Sequence, residues 1–390
     1  MFIFDILIYV FFAIVMYSFA NKSYVFAQFP SKKRDSQTFL WMFLLFFAIV
    51  CGVRWNVGSD SVGYMHEFAE GRLNPDKREY LWTALVFIVS RLHIHYTIGM
   101  ALVAFLQLYF LTKLPSKERY ILIFLPIALF GGCYFLDYCD GMRQMLVASL
   151  FVFSTKYIVE KKPIKFLIFI FISYFIHHSV LILAPFFLLA YIPYYRIELS
   201  NKRVLCITIF IICFLLGQTP QFTRFVGLFE FLVSSLDESY NYVNSYIEQH
   251  IIEGDNVVRH FGPMQLSYFI TALLTIWFGK ELNTSYKSRI PYFELWWFFS
   301  FIYGCFYFLV CNVSFLFIRP FMYFEPFQLI IVSLLLFHLY KKKRLLFWFF
   351  VLTIWVGLSW NIIKNQGEFA ESVTYKTVLF HDLYEPPFSD

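Results

Sequence analysis

Charged residues are scarce in this chain of 390 residues. They make up 15% of the sequence, whereas hydrophobic residues make up 59%. A soluble domain carries charge at about a quarter of its positions, and no polar stretch here is long enough to form a soluble core. Apolar runs of about 15 to 20 residues alternate with short charged segments, which is typical of a polytopic helical membrane protein. The short alternating segments of a transmembrane β-barrel are absent.

Metal-ligand spacing is also missing. Most of the seven cysteines lie inside apolar runs and fit no zinc motif, so neither a metal nor a cofactor is expected. The N-terminal apolar run lacks a basic start and a cleavage pattern, so it is interpreted as a first span. The net charge of +6 comes mainly from loops between spans, so no nucleic-acid partner is expected.

The apolar runs predict an all-α polytopic membrane protein of about twelve transmembrane helices in one domain, residues 1–363, followed by a tail, residues 364–390. The predicted spans lie near 2–20, 38–53, 97–113, 119–132, 142–159, 164–177, 179–193, 203–218, 263–279, 290–311, 320–340 and 344–361. The apolar segment 81–92 is either a thirteenth crossing or a juxtamembrane helix. The segment 164–193 is basic at both ends, which favours a hairpin with two short arms.

The distribution of Lys and Arg predicts the orientation. Six loops on one side hold 21 of the 32 Lys and Arg residues, provided that segment 81–92 does not cross. The positive-inside rule places these loops in the cytoplasm. The outer side then holds both termini, the loop 54–96 and a long acidic loop, 219–262, whose location and length predict that it covers a ligand groove or grips a ligand.

Three arginines fall at the ends of spans on this outer face: Arg54, Arg143 and Arg319. The guanidinium group is a planar fork of donors that binds phosphate oxygens in pairs, so three of them suit a diphosphate. Gln144 follows Arg143 at the start of a span, where the helix end also favours anions. Interfacial snorkelling or pairing with a carboxylate is the structural alternative for each arginine.

Two outer residues are candidates for a general base, His177 and Asp60. His177 and His178 lie at the tip of the short hairpin, where a histidine can accept a proton from a sugar hydroxyl. Asp60 is either a base or a partner of Arg54, and the sequence leaves this open. Gly58 permits a tight turn or a close ligand approach. If the chain is helical after Ser59, Tyr64 lies one turn from Asp60 on the same helix face. Tyr323 has the same spacing of four residues from Arg319.

These residues together resemble the EpsG-like family of exopolysaccharide polymerases, related in role to Wzy-type O-antigen polymerases. The resemblance covers about residues 40 to 340 and rests on Arg54-x-x-x-Gly58-x-Asp60-x-x-x-Tyr64, Met142-Arg143-Gln144, His177-x-Ser179 and Arg319-x-x-x-Tyr323. The chain departs from the family pattern in two places. Asp140 stands where the family has Asn, and Ile176 precedes His177 where Phe is usual.

The resemblance implies a GT-C-like, metal-independent glycosyltransferase of the bacterial cytoplasmic membrane. Such an enzyme joins oligosaccharide repeat units carried on undecaprenyl diphosphate on the outer side, and it works beside a flippase and a chain-length regulator. On this hypothesis Arg54, Arg143 and Arg319 bind the diphosphate, while His177 or Asp60 takes the proton from the acceptor and the anomeric centre is inverted.

Two other functions remain open from the sequence. A membrane O-acyltransferase acting on a surface glycan would also use an intramembrane histidine. A flippase for lipid-linked oligosaccharides would line a central path with polar residues in both leaflets. The polar residues of this chain concentrate in the outer leaflet, which favours a one-sided active site.

Overall fold

The computed structural model describes residues 2–58, 60–71, 79–192, 197–219, 222, 261–312, 318–364 and 373–381. Nearly all of this part of the chain is helical. Its α-helices are α1 (Phe2–Ala27), α2 (Lys33–Gly52), α3 (Ser61–Glu70), α4 (Tyr80–Arg91), α5 (Tyr96–Lys113), α6 (Leu125–Gly131), α7 (Tyr134–Asp140), α8 (Met142–Val159), α9 (Pro163–Tyr174), α10 (Arg203–Gly217), α11 (Pro263–Trp277), α12 (Gly279–Tyr286), α13 (Phe293–Val310), α14 (Glu325–Lys342) and α15 (Arg344–Lys364). The longer 3₁₀ helices are His178–Ala190 and Arg319–Phe324.

The apolar runs form helices because a helix pairs its backbone N–H and C=O groups with each other, and the hydrocarbon of a membrane offers these groups no hydrogen-bond partners. Among the described residues, six helices are long and apolar enough to cross a membrane, and a bent pair makes a seventh if it counts as one span. The all-α membrane architecture therefore agrees with the expectation from sequence. Twelve crossings and a GT-C arrangement stay predictions.

The fourth predicted span, 119–132, ends at a sharp bend in the structure. Helices α6 and α7 meet at a bend of 74°. Cys133, between them, has a left-handed backbone with φ of 64°, and a Cβ on Gly132 would lie 2.6 Å from the carbonyl oxygen of Ala128. The predicted span ends beside this break, but hydropathy alone did not predict that the chain turns there and continues as helix α7.

The segment predicted either to cross the membrane or to lie beside it forms α4, which has twelve residues. At 1.5 Å per residue it is about 18 Å long, short of the roughly 30 Å hydrocarbon core. It buries Trp82, Val86 and Val89, and it packs on α3 and α5. These features favour the juxtamembrane alternative.

The predicted hairpin over 164–193 has two short arms that pack against each other, α9 and the 3₁₀ helix His178–Ala190. The second arm contains Pro185, which has no backbone N–H to donate. His177 lies at the tip between the arms, as the sequence predicts.

Several cationic loops lie together at one end of the helices. The guanidinium of Arg119 donates to the side chain of Gln37 in the first turns of α2 at 3.0 Å. The ring of Tyr120 lies 5.6 Å from that of Tyr286. Lys287 then pairs with Glu198. The loops that precede α2 and α10 and those that follow α5 and α12 therefore share one face.

The opposite end holds the segments that carry the candidate site residues. Helix α2 runs from the cationic end to Arg54, and α5, α8 and α14 each end in lysine-bearing loops at the cationic end. The hydroxyl of Tyr9 donates to the carbonyl of Val373 at 2.6 Å. Strands β1 (Arg54–Trp55) and β2 (Lys376–Thr377) pair antiparallel. The start of α1 and residues 373–381 therefore lie at this end together.

Candidate functional site

Four separate segments of the chain meet at the end opposite the cationic loops and enclose an open cleft. The cleft is open to solvent, and its empty volume of about 410 Å³ includes part of that solvent space. Its lining includes six of the residues predicted from sequence, Asp60, Tyr64, Arg143, Gln144, His177 and Arg319, together with Asp140, Gly141 and Met322. The structure thus brings together residues that lie more than 250 positions apart in the sequence.

Gly58, a predicted substrate contact, does not line the cleft, but its backbone lies beside it, against that of Asp140. Its φ is 94°, and a Cβ at this position would lie 3.1 Å from the backbone nitrogen and Cα of Asp140. The Oδ1 atom of Asp140 accepts a hydrogen bond from the backbone N–H of Asp60 at 2.7 Å. The glycine therefore allows the start of α3 to sit directly against the end of α7.

Asp60 and Arg319 face each other at the mouth of the cleft. Their nearest charged atoms, Oδ2 and Nη2, are 3.8 Å apart, and their side chains are 51% and 45% exposed. The side-chain amide of Gln144 donates to the carbonyl of Arg319, which ties α8 to the 3₁₀ helix Arg319–Phe324. Arg319 is therefore held by its backbone, while its guanidinium remains accessible.

Arg143 lines the cleft deeper inside. Its Nη1 donates to Oε2 of Glu79 at 2.6 Å. Its guanidinium carbon lies 5.6 Å from the ring centre of Tyr64 and 5.7 Å from that of Trp82. The carboxylate pairing that the sequence left open for this arginine is thus present, and the rings hold the guanidinium plane beside the cleft.

His177 contacts the same carboxylate from the other side. Its Nδ1 lies 2.9 Å from Oε1 of Glu79. Burial of Glu79 raises the pKa of its carboxyl group, but the hydrogen bond from His177 and the charge of Arg143 outweigh this, so the pKa is lowered from its ordinary value. Glu79 is only 5% exposed, so the site contains a buried, ionised carboxylate.

Sequence reasoning missed Glu79. The one available signal was a carboxylate placed directly before the apolar helix Tyr80–Arg91. An acidic side chain at such a boundary needs a buried partner if the helix lies against the protein. That partner, Arg143, is 64 positions away, and no local spacing connects the two.

Two predicted substrate contacts lie behind the cleft instead of in its lining. Tyr323 is fully buried, and its hydroxyl shares a hydrogen bond of 2.6 Å with that of Ser179. The ring of His178 stacks on Tyr174 with centres 4.4 Å apart. Both residues support the tip of the hairpin that presents His177.

Arg54 requires a correction, because the structure does not bring it to the cleft. Its side chain is fully buried. Nη1 donates to the carbonyl of Cys51, and Nη2 donates to the carbonyl of Cys139 at 3.0 Å and approaches Sδ of Met142 at 3.1 Å. Both Nη groups are directed at backbone and thioether within the protein, so Arg54 holds α2 against the junction of α7 and α8.

The acidic loop 219–262, predicted to cover a glycan, falls almost entirely outside the described residues. Within the ranges that are described, no group of three or more His, Cys, Asp or Glu side chains could hold a metal ion. The described cleft therefore offers arginine, histidine and carboxylate chemistry.

A comparison with protein-family models matches residues 37–377 of the chain to the model described as EpsG family. The chain belongs to the EpsG family. The match confirms the resemblance inferred from the motifs, and it includes every described segment that lines the cleft. A search of curated proteins and a search of solved structures each return no match. Membership of the EpsG family indicates an exopolysaccharide-related, glycosyltransferase-like polymerase in the membrane.

Proposed function

We propose that this EpsG protein polymerises oligosaccharide repeat units that are carried on undecaprenyl diphosphate. One observation carries the proposal: Arg143, Arg319, His177 and Asp60 surround a single cleft at the end opposite the cationic loops. Under the positive-inside rule the cationic end faces the cytoplasm, so the cleft opens on the outer side of the cytoplasmic membrane.

Two arginines are placed to bind a diphosphate, Arg319 at the mouth of the cleft and Arg143 deeper inside it. Arg319 is half-exposed at the mouth, and its carboxylate partner is 3.8 Å away. Exposed pairs of this kind contribute little free energy, so a phosphate oxygen readily replaces Asp60 as the partner. Arg143 lines the cleft at greater depth, where its guanidinium can divide its donors between Glu79 and an anion.

The reaction moves one glycosyl group and one proton. The acceptor hydroxyl attacks the anomeric carbon of the donor glycan, and His177 takes the hydroxyl proton. As the new carbon–oxygen bond forms, the bond from the anomeric carbon to the phosphate oxygen breaks, and the lipid diphosphate leaves. Arg143 and Arg319 stabilise the negative charge that develops on it. Attack from the face opposite the diphosphate inverts the anomeric centre.

His177 is the better candidate for the base than Asp60. Asp60 faces the guanidinium of Arg319 at 3.8 Å, so its carboxylate already has a cation as its neighbour at the mouth of the cleft. His177 instead has a buried carboxylate behind it at 2.9 Å, an arrangement that stabilises the imidazolium formed during proton transfer.

The partners follow from this role. The donor and acceptor are undecaprenyl-diphosphate-linked oligosaccharides that a flippase supplies, and a chain-length regulator sets the extent of polymerisation. The fold that serves this chemistry is proposed to be GT-C-like, with about twelve crossings.

The experiment compares polysaccharide length in cells that carry His177→Ala or Arg319→Ala at equal protein level. We expect loss of long polymer and accumulation of lipid-linked single repeats on the outer side. His66→Ala and Arg91→Ala are the controls, because neither residue lines the cleft. Normal polymer in both cleft variants would overturn the proposal, and repeats that accumulate on the inner side would indicate a flippase.

A further inference from the structure

Glu79 lies between the two cleft residues that do different work in the proposed reaction. Oε2 accepts from Nη1 of Arg143 at 2.6 Å, and Oε1 lies 2.9 Å from Nδ1 of His177. The side chain of Glu79 is 6% exposed, compared with 14% for Arg143 and 25% for His177. The carboxylate is therefore the buried member of the group, and the two cations reach from it towards the cleft.

We propose that Glu79 is a positioning residue that fixes His177 as the proton acceptor and couples it to the donor site at Arg143. This inference rests on the proposed function, because it assigns a role within the same reaction. Glu79 itself contacts neither the donor nor the acceptor, because it does not line the cleft.

The first part of the role concerns the tautomer of His177. An ionised carboxylate only accepts hydrogen bonds, so Nδ1 of the neutral imidazole must carry the proton that points to Oε1. Nε2 is then the basic nitrogen. Without the carboxylate, both tautomers are populated, and the ring is free to turn about its side-chain torsions.

The second part concerns charge. Glu79 is shared, so part of its negative charge is balanced by Arg143 while the cleft is empty of donor. When Arg143 binds diphosphate oxygens, it divides its positive charge between two anions. Glu79 is then less neutralised and stabilises the imidazolium of His177 more strongly. Binding of the donor thus strengthens the base that activates the acceptor.

Other titratable or charged groups also surround His177 and enter its proton balance. They come from α3, α7, the hairpin and the 3₁₀ helix Arg319–Phe324, and they are Asp60, Tyr64, Asp140, His178, Arg319 and Tyr323. Glu79 is the one with a direct contact to the imidazole in the described structure. Its removal therefore has the largest effect on that ring.

The test uses the full chain in proteoliposomes with a lipid-diphosphate-linked repeat. For Glu79→Gln we expect the turnover rate to fall roughly 100-fold, with a smaller change in KM for the donor. Glu79→Asp keeps the charge and retains more activity than Glu79→Gln.

Glu70→Gln is a matched control. Glu70 contacts His66 at 2.9 Å, the same distance between the same atom types, on a helix face outside the cleft lining. The turnover rate and the KM of this variant stay as in the wild type. A loss of activity equal to that of Glu79→Gln would overturn the proposal, because any histidine–carboxylate pair would then have the same effect.

A measurement on the unmodified protein keeps the proposal testable even if Glu79→Gln fails to fold. The ¹⁵N chemical shifts of labelled His177 report which ring nitrogen carries the proton. A neutral imidazole with its proton on Nδ1 supports the proposal. A neutral imidazole with its proton on Nε2 overturns it. Inactive His177→Ala with a wild-type turnover rate for Glu79→Gln rejects only the role of Glu79, whereas normal activity of both His177→Ala and Arg319→Ala rejects the proposed function.

Discussion

The guanidinium of Arg54 donates to the carbonyl of Cys139 at 3.0 Å, across 85 positions of sequence. The same group also donates to the carbonyl of Cys51 at the end of α2. One buried side chain thereby joins the end of α2 to the end of α7. This junction sets Gly58 against Asp140. Arg54 thereby fixes the position of segments that line the cleft, although its own side chain does not line it.

Substitution of Arg54 by lysine is expected to act on stability. A lysine amine is a compact donor that cannot reproduce the planar fork, so buried carbonyls lose partners and a charge stays buried. We expect the free energy of unfolding to fall by about 2–4 kcal/mol, measured by thermal or chemical unfolding in detergent. Arg319→Lys, at a half-exposed position, changes it little. A normally stable Arg54→Lys protein with weakened donor binding would show that Arg54 contacts the donor after all.

Gly58→Ala is expected to distort the cleft. The residue has φ of 94°, and the added Cβ would lie 3.1 Å from the backbone of Asp140, so strain of about 1–3 kcal/mol is expected. Gly63→Ala is the matched control, because a Cβ there meets nothing within 4 Å. Alanine in that helix is expected to stabilise by about 0.5–1 kcal/mol. Equal stability of the two variants would contradict the close approach.

The hydroxyl pair of Ser179 and Tyr323 is expected to hold the tip of the hairpin. Removing either hydroxyl, by Ser179→Ala or Tyr323→Phe, breaks the same 2.6 Å hydrogen bond. Each variant is expected to lose about 1 kcal/mol of stability, and the double variant loses less than the sum. A double-mutant cycle on unfolding free energies measures the difference. Strict additivity would show that the two hydroxyls act independently.

The stability of the site depends on pH through Glu79. Its pKa is lowered from the ordinary value of 4.5 by His177 and Arg143, which outweigh the effect of burial. The folded state therefore holds the charged form more strongly than the unfolded chain does. This contribution is complete above pH 4.5 and is lost as pH falls through the lowered value.

Melting temperatures of wild type and Glu79→Gln, compared across pH, measure this contribution. The difference between them is expected to be constant at neutral pH and to shrink in acid. A difference that grows as pH falls would mean that the carboxyl is protonated in the folded protein.

The sequence was sufficient for features that depend on composition and order. Apolar runs predicted helices, and the Lys and Arg loops predicted two distinct ends. The motifs around Asp60, Arg143, His177 and Arg319 predicted one shared face, because each follows or begins an apolar run on the same side. Their meeting in one cleft is the result that the structure adds.

The remaining features depend on contacts between distant residues. Arg54 and Arg143 occupy similar positions at helix ends, yet one is enclosed by backbone carbonyls and the other reaches the cleft. Glu79 gained its role only through partners 64 and 98 positions away. Likewise, the bend at Cys133 comes from a left-handed residue, which an apolar run does not reveal.

The most direct test of the central claim is polymerisation by the purified EpsG protein in proteoliposomes that contain only lipid-diphosphate-linked repeats. The account predicts lipid-linked dimers and longer chains, with one undecaprenyl diphosphate released for each new glycosidic bond. His177→Ala and Arg319→Ala would release none. Movement of intact repeats across the bilayer without new bonds, or unchanged polymer from both variants, would contradict it.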